Sequence, residues 1–503
     1  MFDRIIEQLT YNPREPLIFS TSLFLFLFLG FTFVYMLLQR RLKARLLFVI
    51  LFSYYFYYKT SGFYFGLLAL VTVSDYLIAR AIFSTRSSHL EKSILVPRSS
   101  LLVPRLLLVL SLAIDLGLLF YFKYTNFFAG MWAQLVGVNF QPWDIFLPVG
   151  ISFFTFQSMS YVIDVYRRDL RPLPSLLDYA FYVSFFPQLV AGPIVRARDF
   201  APQIRQPLSV TREMFARGVY FIIIGLFKKA VISDYISINF VDRIFDNPSL
   251  YSGLENLLGV YGYVLQLYCD FSGYSDMAIG IALLLGFRFP MNFNAPYKSS
   301  NITDFWRRWH ISLSTWIRDY IYISLGGNRK GKVRQYANLV VTMLLGGLWH
   351  GASLNFVAWG GMHGVALALH KWSRERLFHH DRSYQSRGWR RVGAALLTFH
   401  FVAFCFIFFR HQTFADAWLT IDAIFTNFHP ELLGQVLSGY WTVFALIAFG
   451  YATHFLPNVV EERCVEIIKN GTFILGAILL VVVIYIVVQI KSSEIQPFIY
   501  FQF

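Results

Sequence analysis

The sequence is poor in charged residues. Only 15% of its 503 residues are Asp, Glu, Lys or Arg, while 56% are hydrophobic and 19% are aromatic; soluble domains contain roughly 25% charged residues. So little polar surface cannot cover a water-soluble globule. We therefore predict an all-α, polytopic integral membrane protein and exclude a soluble enzyme.

Cysteine is also scarce. The three cysteines, Cys269, Cys405 and Cys464, are far apart, and none is in a CxxC or other metal-ligand spacing. We expect neither a disulfide framework nor a metal site, and no tightly bound cofactor.

Acidic residues are too few to balance the basic ones, and the formal net charge is +15. The basic residues lie between apolar runs and form no arginine-rich tail, so we expect no nucleic acid as a partner. Basic loops attracted to the anionic surface of a lipid bilayer explain the charge better.

Long apolar runs are what the sequence does have. Leu17 to Leu38 carries no charge and is long enough for a hydrocarbon core of about 30 Å. It is too long for the apolar core of a signal peptide and is predicted to be a retained span. The runs predict helices near residues 17–38, 46–58, 62–79, 104–122, 145–165, 177–194, 214–232, 255–286, 337–370, 392–409, 439–456 and 472–490.

Two of these runs are interrupted. Tyr58 to Gly62 divides the 46–79 region into a predicted helical hairpin. In 177–194, Pro187 and the sequence Ala191-Gly192-Pro193 break the helix, which at membrane depth is tolerated only inside protein or beside a water-filled cavity. We expect this segment to be re-entrant.

The basic residues set the orientation, because they concentrate on the cytoplasmic side of membrane proteins. Phe287 to Gln335 is rich in Lys and Arg and is predicted to be a large cytoplasmic segment, whereas Asp234 to Gly253 is predicted to lie outside. No internal repeat is visible, and we predict one membrane domain over residues 1–503.

Ile302 to Arg318 is predicted to be an amphipathic helix in the cytoplasmic interface, capped by Asn301 or Thr303. Its aromatic residues recur at helical spacing, and its basic residues, Arg307, Arg308 and Arg318, are available to phosphate or to lipid. A solvated basic face against lipid headgroups explains the same pattern.

The next apolar segment, Ala337 to His370, has basic sequence at both ends, so it is predicted to enter the membrane and return near Gly346 to Ser353. His350 would then lie deep in the bilayer, where an ionisable residue is a functional candidate and a possible general base. A structural histidine hydrogen-bonded to a neighbouring helix is the alternative. His363 and His370 are assigned to packing or to the interface.

Asp270 and Asp276 are two carboxylates within the 255–286 run. Their spacing of six residues places them on different faces of a helix, so we do not expect an acid–base pair. We expect Arg, Ser or Tyr partners within the helix bundle.

Four segments of the sequence resemble one known family. They are Phe186 to Pro193 (FPQLVAGP), Asp270 to Ala278 (DFSGYSDMA), Asp304 to Ser314 (DFWRRWHISLS) and Leu348 to Gly351 (LWHG). The sequence is identified by them as similar to the membrane-bound O-acyltransferases, and in particular to their bacterial alginate O-acetyltransferase branch.

The resemblance implies a ring of tilted transmembrane helices, with re-entrant and interfacial helices, around a central tunnel. It makes His350 the catalytic residue and His310 the second characteristic histidine. His310, Arg307 and Arg308 would organise a cytoplasmic donor entrance separate from His350, and the two histidines would not form a catalytic dyad. Residues expected to line the tunnel are Trp349, Gly351, Asp270 and Ser272.

By the same resemblance, the protein would take an acyl group, acetyl from acetyl-CoA, across the bacterial inner membrane for O-acetylation of an exported polysaccharide. Its expected partners are a periplasmic SGNH-type acetyltransferase and the machinery that makes and exports the polysaccharide. The sequence departs from the alginate branch in the polar stretch Met1 to Pro16 and in the short connection Leu456 to Gly471, which puts the identity of the polysaccharide in doubt.

Other functions stay open at this point. D-Alanyl transfer to teichoic acid and O-acetylation of peptidoglycan or cellulose are alternatives within the same chemistry. A transporter is an alternative of a different class, although the two similar halves with matching interrupted helices that transporters often show are not visible.

Overall fold

The computed structural model describes residues 2–13, 15–90, 102–377 and 387–490. Within these ranges every regular element is helical, which confirms the predicted all-α class. Internal contacts divide the chain into two compact units. The first comprises Met1–Gly218 and Ala278–Pro290, and the second comprises Val219–Met277 and Met291–Phe503.

The first unit is built from short and medium helices. In the described ranges they are α1 Phe2–Leu9, α2 Ser22–Leu37, α3 Leu42–Ser61, α4 Phe65–Leu90, α5 Leu102–Leu119, α6 Thr125–Val136, α7 Ile151–Arg167, α8 Leu176–Ser184, α9 Phe186–Leu189 and α10 Ala197–Ile204. A 3-10 turn, Gly62–Tyr64, separates α3 from α4, and a π-helical turn, Phe120–Tyr124, joins α5 to α6.

The helical hairpin predicted for residues 46–79 is confirmed. The ring of Tyr54 in α3 packs against that of Phe65 in α4, with centroids 6.3 Å apart. Eleven residues of continuous helix would separate the two by about 16 Å, so the chain must reverse between them. The reversal is at Gly62, whose φ of +62° suits glycine and whose missing Cβ leaves room for the Tyr11 ring.

The break predicted in the 177–194 run is also found. The chain leaves the helix at Phe185 and again after Leu189. A Cβ on Gly192 would lie 2.5 Å from the Cα of Gln188, so the folded-back backbone leaves no space for a side chain. Residues 181–197 are all buried, which fits a broken helix enclosed by protein.

The second unit contains parts of α11 Arg212–Leu226 and α14 Gly253–Leu284 together with the later helices. These are α12 Asp234–Ile236 and α13 Asp242–Asp246, then α15 Ile302–Arg308, α16 Ile311–Ile317, α17 Lys332–His350, α18 Leu354–Arg376, α19 Gly388–Arg410, α20 Phe414–Thr426, α21 Leu433–Gly439, α22 Trp441–His454, α23 Asn458–Asn470 and α24 Phe473–Ile490. The π-helical turns are Phe227–Ser233, Ser237–Val241 and Arg318–Tyr322, and the 3-10 turns are Pro248–Leu250, Pro296–Lys298 and Pro430–Leu432.

Several helices are suited to a membrane. Within the described residues, Leu42–Arg86, Leu102–Val136 and Gly388–Arg410 are long and apolar enough to cross one, and the bent pair α21–α22 forms a fourth candidate with a 95° bend. The first stretch contains the α3–α4 hairpin, so it is not a single 45-residue crossing. Helix α2 is shorter than the predicted span because it begins at Ser22, where the Thr21 side chain caps it. The chain is a multi-pass membrane protein.

Candidate active site

The segment predicted to enter the membrane and return is a pair of antiparallel helices, α17 and α18. At the open end of the pair, Lys332 Nζ lies 2.6 Å from Glu375 Oε2, and this hydrogen bond holds the pKa of Glu375 below its usual value. At the closed end, residues 351–353 turn the chain, and the Ser353 side chain accepts a hydrogen bond from the Phe356 backbone N–H. The predicted reversal near 346–353 is confirmed.

Glycines let these two helices touch at the backbone. A Cβ on Gly347 would lie 2.1 Å from the Phe356 carbonyl oxygen, and one on Gly360 would lie 2.2 Å from the Met343 carbonyl oxygen. A Cβ on Gly351 would lie 2.0 Å from the Phe356 ring. Gly347 therefore admits a neighbouring backbone, and Gly351 admits an aromatic ring.

His350 is the last residue of α17 and is 3% exposed. Its imidazole is surrounded by aromatic rings at centroid distances of 5.0 Å for Trp349, 5.1 Å for Trp359 and 5.3 Å for Phe409. These rings fix the imidazole in an environment of low polarity, where a proton acceptor and the charges that develop around it interact strongly.

His310 lies where a single helix was predicted, and that prediction was wrong. The Ile302–Arg318 segment is divided into α15 and α16, because His310 adopts the left-handed conformation with φ of +42°. This conformation is uncommon for a residue other than glycine. Asn301 caps α15, as expected, by accepting a hydrogen bond of 2.8 Å from the Asp304 N–H.

A buried asparagine holds this break in place. The Asn292 side-chain oxygen lies 3.1 Å from His310 Nδ1 and accepts from the Ser312 N–H at 3.2 Å, and the Asn292 carbonyl accepts from the Ile311 N–H at 2.9 Å. Its amide nitrogen donates to Ser275 Oγ at 3.1 Å. Because the same oxygen accepts from a backbone N–H, the Nδ1 of a neutral His310 must donate to it, which leaves Nε2 as the acceptor.

Asn292 was not predicted as a site residue. Its one signal is its position between two of the four motifs, in a stretch with no helical pattern. We expected His310 to lie apart from His350, but the two ring centroids are 6.5 Å apart, and His310 is 6.1 Å from Trp349. Both histidines belong to one buried group, which we call the histidine cluster: His310, Trp349, His350 and Trp359.

A cavity of about 620 Å³ opens between α15, α16, α17 and α18, within the size range of small-molecule sites. Four cationic side chains line it, and no Asp or Glu is among the described residues that do. We call it the basic cavity; its cationic residues are Arg307, Arg318, Lys371 and Arg374.

One aromatic layer separates the basic cavity from His350. Trp306 lines the cavity; its ring lies 5.7 Å from that of Trp359, which in turn contacts His350. Met343 also lines the cavity and precedes His350 by seven residues on α17, a distance of about 10 Å along the helix.

The two adjacent arginines predicted at a donor entrance have different surroundings. Arg307 lines the basic cavity. Arg308 is bound by its own helix, with Nε 3.0 Å from Asp304 Oδ2, and it donates to the Asn294 carbonyl at 3.3 Å. Of these two adjacent arginines, Arg307 is the one placed to meet a molecule in the cavity.

Two further histidines contact this region. The Trp306 indole donates to His363 Nδ1 at 3.3 Å, and His363 is fully buried. His370 Nδ1 lies 3.0 Å from the Thr303 hydroxyl and borders the basic cavity. Both contacts agree with the packing and interface roles expected for these residues.

The two carboxylates of α14 are paired with lysines, a residue type that was not among the partners predicted for them. Lys229 Nζ lies 2.6 Å from Asp270 and 2.7 Å from Asp234, and Lys228 Nζ lies 2.7 Å from Asp276. As predicted, Asp270 and Asp276 do not form an acid–base pair. Lys228 and Lys229 lie within the run predicted over 214–232, and nothing in their local sequence indicates carboxylate partners on another helix.

Close backbone packing makes these ion pairs possible. A Cβ on Gly225 would lie 2.6 Å from the Gly273 carbonyl oxygen, and one on Gly273 would lie 2.8 Å from the Gly225 carbonyl oxygen. Ser272, which we expected to line a tunnel with Asp270, is fully buried on α14. Phe271, which lies between Asp270 and Ser272 in the sequence, connects α14 with the histidine cluster, because its ring centroid is 4.6 Å from that of His310.

The chain was compared with known proteins. A model of the MBOAT, membrane-bound O-acyltransferase, family matches residues 55–394. The "Probable alginate O-acetylase AlgI" of Azotobacter vinelandii is 41% identical over 82% of this chain and 78% of its own length, and the protein of that name from Pseudomonas putida is 35% identical over 97% and 100%. The "Peptidoglycan O-acetyltransferase" of Helicobacter pylori is 37% identical over 80% and 78%. The chain belongs to the membrane-bound O-acyltransferase family.

Proposed function

We propose that this membrane O-acyltransferase transfers an acetyl group from acetyl-CoA to a hydroxyl group and thereby serves the O-acetylation of an exported, alginate-like polysaccharide. Support for the acetyl group and the polysaccharide comes from the relatives named alginate O-acetylase, which match most of the chain. Support for the donor comes from the basic cavity.

The single observation that carries the donor assignment is the charge of that cavity. Four cationic side chains line a space of about 620 Å³ with no acidic lining residue among those described; one of them, Arg318, is also ion-paired with Asp319 at 2.6 Å. Phosphate oxygens pair most strongly with such cations, and Arg binds them in a bidentate manner. CoA carries phosphates at one end and the acyl thioester at the other, so phosphates held in the cavity direct the thioester toward the Trp306–Trp359 layer and His350.

His350 acts as the general base in this proposal. Its imidazole takes the proton of the acceptor hydroxyl, and the hydroxyl oxygen attacks the thioester carbonyl. The new ester C–O bond forms, the C–S bond breaks, and the proton passes to the CoA thiolate. The buried aromatic surroundings of His350 keep water away from the thioester.

Transfer to an exported polymer requires the acyl group to cross the bilayer. We propose that a tunnel within a ring of helices leads from the basic cavity past His350 to the outer side, with Trp349 and Ser272 in its wall. We further propose that the protein lies in the bacterial inner membrane and passes the acyl group to a periplasmic SGNH-type partner. Dependence of polysaccharide acetylation on both proteins would test the last step.

The test of the proposed function is an acetyl-transfer assay with the purified protein in nanodiscs, labelled acetyl-CoA and either alginate or peptidoglycan fragments, with and without an SGNH-type partner. His350→Ala should lower the rate by at least a hundredfold, the lower range for general base catalysis. His411→Gln is the matched control, since it also removes a buried imidazole, one that bonds Thr420 at 2.8 Å. A His350→Ala variant as active as the His411→Gln variant would refute the role of His350. Acetylation of the peptidoglycan fragments without acetylation of alginate would show that peptidoglycan, and not an alginate-like polysaccharide, is the acceptor.

A further inference from the structure

A second cavity, of about 760 Å³, is a groove between α14, α19 and α22. Unlike the basic cavity, its surface is almost entirely apolar, and its floor is a cluster of four aromatic side chains. Phe399 is at the centre, with its ring 5.9 Å from Tyr261, 5.5 Å from Tyr297 and 5.9 Å from Tyr451. We call this space the aromatic groove.

The floor is rigid because two of its three tyrosines are tied to the backbone. The Tyr451 hydroxyl donates to the Tyr261 carbonyl at 2.8 Å, and the Tyr297 hydroxyl donates to the Val264 carbonyl at 2.7 Å. Because these two hydroxyl groups are hydrogen-bonded to the backbone, the floor presents mainly aromatic ring faces to the groove. A preformed apolar surface of this kind suits an alkyl chain.

Positive charge is confined to one end of the groove. Lys298 and Arg391 both line it, and Lys298 Nζ donates to the Leu456 carbonyl just beyond the end of α22, at 2.7 Å. Arg391 lies near the start of α19. The other end of α19 is near the start of α22, because Arg410 pairs with Asp242 and the nearby Phe240 contacts Tyr440; the two helices are therefore antiparallel. Among the ion pairs between described residues, none includes either side chain.

The length of the groove matches one leaflet of a bilayer. From Arg391 to His400, which also lines the groove, α19 rises through nine residues, or about 14 Å. Half of a hydrocarbon core of about 30 Å is about 15 Å. Helix α19 is itself one of the stretches apolar enough to cross the membrane.

We propose that the aromatic groove is a binding site for one anionic glycerophospholipid, with an acyl chain along the aromatic floor and the phosphate between Lys298 and Arg391. Basic residues at the membrane end of a groove between helices favour an anionic headgroup. The distribution of basic residues in the sequence predicts that this end faces the cytoplasm. The site is separate from the basic cavity and does not depend on the proposed acetyl transfer.

The test measures lipid affinity of the purified full chain by native mass spectrometry, with dioleoyl phosphatidylglycerol and dioleoyl phosphatidylcholine as probes. The wild type should bind phosphatidylglycerol at least tenfold more tightly. Lys298→Gln and Arg391→Gln should each weaken phosphatidylglycerol binding about fivefold, and the double variant about 25-fold, with little change for phosphatidylcholine. Ala395→Trp, which fills the groove, should weaken binding of both lipids.

Arg329→Gln is the matched control, because Arg329 is an exposed basic residue that lines neither cavity. Equal affinities of the wild type for the two lipids, or an equal loss in the control, would overturn the proposal. So would a double variant that keeps its preference for phosphatidylglycerol. A second copy of the chain in the groove is a further contradicting outcome, shown by dimers in phosphatidylcholine that Ala395→Trp abolishes.

Discussion

Arg307 and Arg308 are adjacent in the sequence and equal in charge, and the structure predicts that replacing them has different effects. Arg307→Gln removes a cation from the lining of the basic cavity. Arg308→Gln breaks an ion pair with Asp304 on the same helix. The first change should weaken the binding of acetyl-CoA, and the second should affect only the contacts of Arg308 with Asp304 and with the Asn294 carbonyl.

The expected magnitudes follow from the surroundings of each side chain. A hydrogen bond to a charged group is worth about 1.5 to 3 kcal/mol. Arg307 is exposed to solvent, so we take the lower end, which corresponds to about a tenfold increase in KM for acetyl-CoA. The Arg308–Asp304 pair is an i,i+4 helix pair, worth about 0.3 to 0.5 kcal/mol, and its loss should change KM less than twofold.

The assay is a titration of acetyl-CoA against the initial rate of acetyl transfer, with both variants at equal concentration in nanodiscs. The rate at saturating donor should change much less than KM in either variant. Raising the ionic strength should reduce the difference between Arg307→Gln and the wild type, because salt screens charges at an exposed site. Equal KM values for the two variants would refute the reasoning, as would an unchanged KM in Arg307→Gln.

Three other changes have definite expected outcomes. Gly347→Ala should destabilise the protein by about 1 to 3 kcal/mol, which a lower thermal midpoint would show. Gly393→Ala is the control, because nothing lies within 4 Å of the added Cβ, and its midpoint should not fall. Equal midpoints for the two variants would contradict the close contact between α17 and α18. Asn292→Ala should lower the rate at saturating donor about tenfold without raising KM for acetyl-CoA. The change releases the His310 imidazole from its hydrogen bond but leaves the lining of the basic cavity intact. A rise in KM with an unchanged rate would contradict this. A membrane-impermeant maleimide should label Arg329→Cys from the cytoplasm and Ser249→Cys from the opposite side, because basic residues concentrate on the cytoplasmic side. The reverse pattern would place the basic cavity on the outer side of the membrane, where it could not receive cytoplasmic acetyl-CoA.

Much of the helical architecture could be predicted from the sequence, because long apolar runs have few alternatives in a bilayer. The α17–α18 pair was predicted from basic sequence at both ends of one run, and the α3–α4 hairpin from polar residues at Gly62. Helices α20 and α23 were missed, since α20 is short and α23 is rich in charge, so neither forms a long apolar run.

The candidate site was less predictable, because it depends on contacts between distant residues. The spacing of Phe305, Trp309, Leu313 and Trp316 fits one continuous helix, and nothing local indicates that the chain turns at His310. The turn is stabilised by hydrogen bonds to Asn292, 18 residues away, which no periodic pattern reveals. Likewise, nothing in the local sequence shows that Arg307 lines the basic cavity whereas Arg308 forms an ion pair with Asp304.

The lysine–carboxylate pairs of Lys228 and Lys229 have a consequence for biosynthesis. Lys228 and Lys229 lie near the middle of the helical stretch from Arg212 to Asp246, and ribosomes reach them about forty residues before Asp270 and Asp276. A lysine at the centre of a lone membrane helix costs about 2.5 to 3.5 kcal/mol. Asp234 offsets this cost for Lys229 within the same stretch, but the partner of Lys228 is on α14, so Lys228 opposes release of the stretch into lipid. Its stable insertion must therefore wait for α14, and the two helices should leave the insertion machinery together.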